Sequence, residues 1–369
     1  MGQGPPAQRR CRLISLRPTE PGDLPGLSAL FESRFGHPLA PEEWTWKYRQ
    51  LPGESRSLVA VEAVEAVEGG EAGKAVEAGE ADAAGEAVYP AGPGGGGGEV
   101  VAHAGALRLP ARWRGGQGGI WQLVDFAGRS AGRGLRPALV RLGERLLADL
   151  PGDGDAPWVF GFPSDRHFRL GERVFGYRPL LTVAQLAGPL PEPAPSSLLA
   201  APIAGGCDPG NDTGLWSGDS CGDWAEAVWE SCAVAGVRRS AAFLNWRYWA
   251  RPHRYYRFYR LRQRGVEGLA VFAFVGEEAW ATELWLPPAG EWYSPMLAIA
   301  ADLRTAGLRS WRFWPPPGNL DADGLLARLG IHPEGEPRFV GCRGAAPCRV
   351  DPVAAAGGFY YAMGDHDLA

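Results

Sequence analysis

The stretch from Gly119 to Leu150, GIWQLVDFAGRSAGRGLRPALVRLGERLLADL, decides the prediction of the fold. Its β-branched and aromatic residues predict a strand over 120–126, and leucines at helical spacing predict a helix over about 134–150. A turn containing several glycines lies between them and leads directly into the helix. The sequence therefore predicts a strand, a glycine turn and a helix N-terminus in immediate succession.

This turn has the chemistry of a diphosphate site. The first N–H groups of a helix have no partner within it, and the helix dipole favours negative charge there. Gly132 and Gly134 allow the backbone to approach phosphate oxygens without a Cβ, while Arg129 and Arg133 add charge-assisted hydrogen bonds. The motif is neither a Walker loop nor a GxGxxG dinucleotide turn. We therefore predict that this turn, up to Leu135, binds an anionic cofactor.

The order of predicted elements occurs twice along the chain. The heptapeptide WKYRQLP at 46–52 recurs as WRYWARP at 246–252, with Trp, a basic residue, Tyr and Pro at identical spacing. Later in each half, a strand and a helix end in a glycine followed by an apolar residue. A tandem duplication explains both repeats. We interpret the aromatic residues of the repeated heptapeptide as core packing of a short helix.

The length of 369 residues predicts two domains. We place an N-terminal domain at 12–190, a linker at 191–219 and a C-terminal domain at 220–369. The segment 64–98 repeats the unit VEA and ends in five glycines. Such a composition buries too little apolar area to offset its ordering entropy. We therefore predict a flexible insertion within the first domain.

Composition excludes several classes of partner. The net charge is -5 and the sequence contains no basic patch, so a nucleic-acid partner is not expected. There is no apolar run of about 18 residues and no signal peptide, which predicts a cytoplasmic protein that does not bind a membrane. The six cysteines form no CxxC pair and lack the spacing of a zinc site. We accordingly expect reduced thiols and no metal, and oligomeric state is not indicated.

The residues Arg129-Ser-Ala-Gly132-Arg133-Gly134 resemble the RxxGxG/A acetyl-CoA signature of the GNAT superfamily of N-acetyltransferases. The wider stretches FESRFGHPLAPEEWTWKY (31–48) and FGFPSDRHFRLGERVFGY (160–177) are similar to a bacterial branch of tandem GNAT proteins. This resemblance implies acetyl-CoA as the cosubstrate. It also implies an α/β (α+β) fold of two tandem domains, each with a mixed, largely antiparallel central sheet flanked by helices.

The resemblance further implies that an amine attacks the acetyl thioester directly in a ternary complex. Backbone near Phe126 or Ala127 would hydrogen-bond the thioester oxygen. Asp125, just ahead of the signature, is a candidate general base, and a structural hydrogen-bonding role is the alternative. His103 is a second candidate base, with a buried structural histidine as its alternative. Tyr177 is a candidate catalytic residue on the acid side, and its alternative is the packed aromatic residue that the family usually has at this position.

The acid is in doubt, because the tyrosine that the family often places four residues before the Gly-aromatic pair is Glu172 here. In the second half, the turn PPAGEW at 287–292 has two prolines, one glycine and a carboxylate. That half is therefore not expected to bind CoA. It is expected instead to shape or cover the acceptor site.

Three functions remain open at this point. The first is an N-acetyltransferase acting on a primary amine of a small molecule or an amino sugar. The second is a catalytically inactive acyl-CoA binding protein with a regulatory or scaffold role. The third is aminoacyl transfer by a FemAB-like tandem protein, which would not require the CoA signature.

Overall fold

A computed structural model of the chain describes residues 9–67, 98–113, 116–129, 135–152, 158–192, 213–216, 220–232, 235–314, 324–336, 338–343, 359–360 and 362–363. The chain divides into two compact units. The first unit consists of residues 1–49, 55–107 and 123–150. The second consists of residues 50–54, 108–122 and 151–369.

The described part of the first half begins with a strand and two helices. In sequence they are β1 (Arg9–Pro18), α1 (Leu24–Phe35), α2 (Pro41–Arg49), β2 (Glu54–Val67), β3 (Glu99–Trp113), β4 (Gly116–Gly128), α3 (Leu135–Ala148), β5 (Val159–Gly161), α4 (Asp165–Leu170), β6 (Arg178–Val183) and β7 (Leu186–Pro189). A 3₁₀ turn at Pro21–Asp23 precedes α1, and a π-helical turn at Gly171–Phe175 continues α4.

The second half repeats much of this order. Its elements are β8 (Thr213–Trp216), α5 (Trp224–Cys232), β9 (Ala235–Val237), α6 (Ala241–Leu244), β10 (Tyr256–Gln263), β11 (Val266–Val275), β12 (Glu278–Trp285), α7 (Tyr293–Thr305), β13 (Ser310–Phe313), α8 (Leu325–Arg328), β14 (His332–Pro333), β15 (Arg338–Arg343) and β16 (Phe359–Tyr360). A π-helical turn at Asn245–Trp249 continues α6.

Apolar spacing explains helix α1. In α1, Leu27, Leu30 and Phe31 are buried, which is the i, i+3, i+4 pattern of one helical face. Gly36 ends α1 in the left-handed conformation at φ 81°, where its N–H bonds to the Glu32 carbonyl. The strand and the helix predicted from the stretch 119–150 are both confirmed, as β4 and α3.

The two sheets have corresponding strand orders. The first contains β1-β2-β3-β4-β5-β15-β6, and the second contains β8-β10-β11-β12-β13-β7-β14 when read in the same direction. In each, the fourth and fifth strands pair in parallel, β4 with β5 and β12 with β13. In addition, β9 pairs with β3 and with β16. The fold class is thereby confirmed as two mixed, mostly antiparallel sheets with helices.

Each sheet contains at least one strand from the other half of the chain. Strand β7, before the predicted linker, pairs with β13 and β14 of the second sheet. Strand β15, near the end of the chain, pairs with β5 and β6 of the first. The domain boundaries 12–190 and 220–369 stay a prediction, and this exchange of strands shows that neither sheet is assembled from one continuous segment.

Two strands extend into segments for which no regular structure was expected. Strand β2 continues to Val67, inside the predicted insertion 64–98, and pairs with β1 from Arg9↔Val67 to Pro18↔Leu58. Strand β8 lies inside the predicted linker 191–219. Residues 68–97 and 193–212 lie outside the described residues.

Large apolar side chains fill the core of the second unit. The sheet side chains Tyr259, Phe272 and Trp311 are almost fully buried, together with Met296 and Leu303 from α7.

A partly buried ion pair between Arg17 and Asp23 lies just before α1 in the first unit. There, Asp23 accepts two hydrogen bonds of 2.7 Å from the Arg17 guanidinium and one of 2.8 Å from the Glu20 N–H.

We expect Asp23→Asn to lower the free energy of unfolding by about 2 kcal/mol at pH 7, because it removes a charge-assisted pair. Burial raises the pKa of Asp23, but the bonds from Arg17 and the Glu20 backbone outweigh it and lower the pKa below its usual value. A folded-state pKa below the unfolded one gives stability above the unfolded pKa that is lost as the pH falls through the folded pKa. The difference between variant and wild type should therefore shrink below about pH 4.

Urea unfolding at pH 7 and pH 3 measures this effect. A matched control is Asp149→Asn, because Asp149 pairs with Arg145 at the exposed surface of α3 and should contribute little. An equal deficit for Asp23→Asn at both pH values would contradict the expectation.

Candidate functional site

Asp125 lies on β4 in a conformation that is rare for a residue with a side chain. Its φ is +55°, in the left-handed region, and the strand continues after it through Phe126 and Ala127 to Gly128. Strained backbone of this kind is concentrated at functional sites. The strand therefore carries a local irregularity at Asp125, three residues before β4 ends at Gly128.

The Asp125 carboxylate is almost fully buried and is held by two residues of α2. The Lys47 ammonium donates to both carboxylate oxygens, at 2.9 Å and 3.1 Å from Nζ. The Tyr48 hydroxyl donates to Oδ2 at 2.7 Å. The side chains of Lys47 and Asp125 are 8% and 5% exposed, so this ion pair is shielded from bulk water. In such surroundings its electrostatic interaction is stronger than at the surface.

His103, on β3, supports the same residue from its backbone side. Its Nδ1 lies 2.9 Å from the Asp125 carbonyl oxygen, and its Nε2 lies 2.9 Å from Ser57 Oγ, which in turn bonds to Thr19 Oγ1 at 2.7 Å. A carbonyl oxygen only accepts, so Nδ1 carries the hydrogen. His103 is fully buried. These contacts favour a positioning role, and the predicted role as a base stays a prediction.

A glycine on β3 makes room for Tyr48. A Cβ at position 105 would lie 2.0 Å from Tyr48 Oη, so Gly105 allows the phenol to reach Asp125. The Tyr48 ring also meets His103 edge-on, with the ring centroids 6.0 Å apart. Asp125, Lys47, Tyr48 and His103 are called the Asp125 centre below.

The described part of the predicted cofactor site adjoins this centre. The Arg129 N–H bonds to the Val101 carbonyl at 2.9 Å, which keeps the end of β4 aligned with β3. The Arg129 guanidinium pairs with Glu99 at 2.5 Å in a partly exposed ion pair. Ala127 is buried, and Leu135 is the first residue of α3. The predicted phosphate-binding residues Gly132, Arg133 and Gly134 lie outside the described residues.

We expect Glu99→Gln to tighten acetyl-CoA binding by about 2- to 5-fold, because it releases Arg129 from a partly exposed ion pair of small net energy. The change would be measured by titration calorimetry at low ionic strength. Glu54→Gln is a control, since it removes another partly exposed ion pair, with Arg108, that is not part of the predicted cofactor site. Weaker binding by Glu99→Gln would contradict this role of Arg129.

Tyr177 belongs to the second unit and is held by local packing. A Cβ at position 171 would lie 2.1 Å from its ring, so Gly171 accommodates the phenol at the turn after α4. Burial raises the pKa of Tyr177, and Arg343 opposes this shift only in part. Its catalytic role stays a prediction, and the surroundings disfavour ionisation of the hydroxyl.

The second half contains a centre with corresponding parts. On β12, the third strand after α6, the Glu283 carboxylate accepts a hydrogen bond of 2.8 Å from the Tyr248 hydroxyl. The Arg239 guanidinium pairs with it at 3.1 Å, and Trp285 Nε1 donates to it at 2.9 Å. Both charged side chains are fully buried. Arg247, the repeat partner of Lys47, is also buried.

The turn before α7 differs from the predicted phosphate-binding turn. The Trp292 indole is buried over it and donates from Nε1 to the Pro287 carbonyl at 2.7 Å. A Cβ at position 290 would lie 2.2 Å from this ring. An indole therefore covers the turn in which a diphosphate would have to meet backbone N–H groups.

Sequence reasoning identified Asp125 and His103 but missed Lys47 and Tyr48. The aromatic residues of the repeated heptapeptide are buried, as predicted: Trp46, Tyr48, Trp246 and Tyr248 are at most 6% exposed. The basic residue between the Trp and the Tyr of each copy was the signal that could have identified Lys47. A cation kept between two buried aromatic residues in both halves requires a buried carboxylate as its partner.

Across the parts of the chain that the structure describes, no cluster of three or more His, Cys, Asp or Glu side chains could hold a metal ion. Within the same residues, no helix combines the length and the apolar character needed to cross a membrane. Cys221 and Cys232 are thiols, and burial raises the pKa of Cys221 to about 12.

No protein-family model and no curated protein sequence matches the chain. Solved structures do match its fold. A GCN5-related N-acetyltransferase from Anabaena variabilis aligns with a TM-score of 0.56 at 10% identity, over 89% of this chain and 72% of that one. A protein of unknown function from Enterococcus faecalis V583, described as a probable N-acyltransferase, gives 0.53 at 12% identity, over 90% and 72%.

Saccharomyces cerevisiae N-myristoyltransferase with bound myristoyl-CoA also matches, with a TM-score of 0.50 at 10% identity, over 89% of this chain and 82% of that one. At these identities the matches show a shared fold. The chain therefore has the fold of the GCN5-related N-acetyltransferases, as its resemblance to the GNAT superfamily predicted.

Proposed function

We propose that this chain, which has the GNAT fold, is an N-acetyltransferase that transfers the acetyl group of acetyl-CoA to a primary amine of a small molecule or an amino sugar. The observation that carries the proposal is the buried Asp125 carboxylate at an irregular position of β4, followed directly by the strand end, the signature and α3. Strand and helix have the order that a diphosphate site at a helix N-terminus requires.

The cofactor would be held by the turn between β4 and α3. Backbone N–H groups from Gly132 to Leu135 would bind the diphosphate, and Arg129 and Arg133 would add charge-assisted bonds. Backbone at Phe126 or Ala127 would stabilise the developing oxyanion of the thioester. A structural neighbour that contains myristoyl-CoA supports acyl-CoA as the kind of cosubstrate for this fold.

Transfer requires one bond to form and one to break. The amine nitrogen attacks the thioester carbonyl carbon, a C–N bond forms, and the C–S bond breaks with its electron pair on sulfur. The attacking nitrogen loses a proton, and the departing thiolate gains one. Asp125 would accept the proton from nitrogen, because its carboxylate is the anionic group of the centre.

The neighbours of Asp125 would fix its geometry for this role. Tyr48 and Lys47 orient the carboxylate, while His103 holds the Asp125 carbonyl and so stabilises the left-handed backbone. A base must be placed within hydrogen-bond reach of the proton that it removes. Fixed on both its side-chain and backbone sides, Asp125 would meet that requirement without reorganisation.

Two measurements on the full chain test the proposal. Titration calorimetry with acetyl-CoA determines whether the cofactor binds, and release of CoA, followed by chromatography with a panel of amino sugars, polyamines and amino acids, determines turnover. Saturable binding together with amine-dependent CoA release supports an enzyme. Binding without release from any amine would favour the acyl-CoA binding protein without activity. No binding would refute the assigned cofactor site.

A further inference from the structure

The chain uses arginine almost everywhere that it needs a cation. Of its 37 Lys and Arg residues, only Lys47 and Lys74 are lysines. Lys74 lies outside the described residues, within the predicted insertion. Lys47 is therefore the single lysine of the described structure, and it is buried against the Asp125 carboxylate. An ammonium at this position, in such a composition, indicates a property that arginine does not supply.

The second half has an arginine, Arg247, at the position that corresponds to Lys47. The helix at 241–249 begins 200 residues after α2, and Trp246, Arg247 and Tyr248 occupy the positions of the first-half motif. Tyr248 donates to a buried carboxylate as Tyr48 does, at 2.8 Å against 2.7 Å. Tyrosine and carboxylate are thus kept in both halves, whereas the basic residue differs.

The difference follows the predicted chemistry of the two halves. Lysine stands in the half with the CoA signature, and arginine stands in the half whose turn is covered by Trp292. A guanidinium stays protonated in proteins and supplies only a fixed charge, while a buried ammonium can lose and regain a proton. Arginine also supplies charge and packing at a buried position, and Arg247 is buried at the corresponding position of the second half.

We propose that Lys47 is the general acid of the first-half centre, which donates a proton from Nζ to the thiolate of CoA as the C–S bond breaks. The inference rests on the acetyltransferase function proposed above and assigns the acid that the sequence left open at Glu172. Glu172 lies exposed in the π-helical turn after α4, in the second unit.

The proton balance closes within the centre. The neutral amine attacks the carbonyl carbon, and the Lys47 ammonium gives one proton to the sulfur. The new C–N nitrogen gives one proton to Asp125. The Asp125 carboxyl group then returns a proton to Lys47 Nζ across 2.9 Å, which restores the ion pair. The products are one amide and one thiol, and no other reactant is needed.

Asp125 on β4 contacts Lys47 Nζ directly, Tyr48 on the same helix bonds to the same carboxylate, and His103 on β3 lies against the Tyr48 ring. Asp125 stabilises the ammonium, and Tyr48 shares the same carboxylate oxygen. A general acid acts only while it is protonated. Turnover should therefore fall on the alkaline side of the pH profile as Lys47 loses its proton.

The decisive variant is Lys47→Arg, which keeps the positive charge but removes the exchangeable proton. We expect kcat to fall about 100-fold, the low end of what acid-base groups contribute, while the Kd of acetyl-CoA stays within about twofold of wild type. The alkaline limb of the kcat profile should disappear. Arg247→Lys, the reciprocal change in the second half, is the matched control and should leave kcat and the profile unchanged.

A second variant distinguishes the loss of the proton donor from misfolding of Lys47→Arg. Lys47→Arg combined with Asp125→Glu reproduces the arginine–glutamate composition of the second half and should fold without turnover. A wild-type level of kcat in Lys47→Arg, with its alkaline limb kept, would overturn Lys47 as the acid and leave the proposed function intact. A wild-type chain that binds acetyl-CoA but acetylates no amine would overturn both.

Discussion

Replacement of Asp125 by asparagine is expected to lower kcat about 1,000-fold, within the range that general acid-base catalysis contributes. The amide has the size of the carboxylate and can still accept from Tyr48, whose hydroxyl lies 2.7 Å from Oδ2. It does not accept a proton at neutral pH. The effect should therefore appear in kcat rather than in acetyl-CoA affinity, and the acidic limb of the kcat profile should vanish.

A loss of folding could imitate this result, because the variant leaves the buried Lys47 ammonium without its counterion. Glu283→Gln is the matched control, since Glu283 is a fully buried carboxylate with an arginine and a tyrosine partner in the second half. It should lower stability by about 3–5 kcal/mol, as expected for breaking a buried pair, yet leave kcat per folded molecule unchanged. An Asp125→Asn protein that is folded and fully active would eliminate Asp125 as the base.

The sequence was sufficient to predict the strand and helix around the signature, because the signals involved are local. Alternating and helical apolar patterns located β4 and α3 to within a few residues. The exchange of β7 and β15 between the sheets was not predictable in this way. Each is a short strand, of 4 and 6 residues, and its partner is chosen by packing over a long separation along the chain.

The candidate site was predicted only in part, for a related reason. Asp125 was identified by its place before a recognisable signature, which is a local property. Lys47 lies 78 residues away from it along the chain, and no periodicity relates the two. The repeat of Trp-basic-Tyr contained the information, but burial of the aromatic residues explained the motif without the cation. A buried charge requires a partner of opposite charge, and this requirement would have linked Lys47 to a buried carboxylate.

The contacts common to the two halves are explained by the shared fold, and the contacts that differ are candidates for a role in catalysis. A tyrosine hydrogen-bonded to a buried carboxylate occurs in both centres, so the hydrogen bond itself belongs to the shared fold. Arg239 is a fully buried cation next to Glu283, whereas the residue 200 positions earlier in the first half is Leu39. The second centre thus has the composition of a structural ion-pair network, whereas the first retains a single lysine.

Gly134→Glu is expected to weaken acetyl-CoA binding by more than 100-fold, or about 2.7 kcal/mol. Position 134 directly precedes Leu135, the first residue of α3. A carboxylate there would interact favourably with the helix N-terminus and would repel the diphosphate that needs the same N–H groups. The second half already carries Glu291 in its corresponding turn. Folding should be retained, because an acidic residue at a helix N-terminus is stabilising.

Gly134→Gln has nearly the same size without the charge and is the matched control. If charge competition dominates, the glutamine variant should lose clearly less affinity than the glutamate variant, and its deficit should depend less on ionic strength. Equal losses would assign the effect to bulk at a position where the backbone must approach the phosphate closely. Unchanged acetyl-CoA affinity in Gly134→Glu, measured by calorimetry on folded protein, would refute the cofactor site at the start of α3.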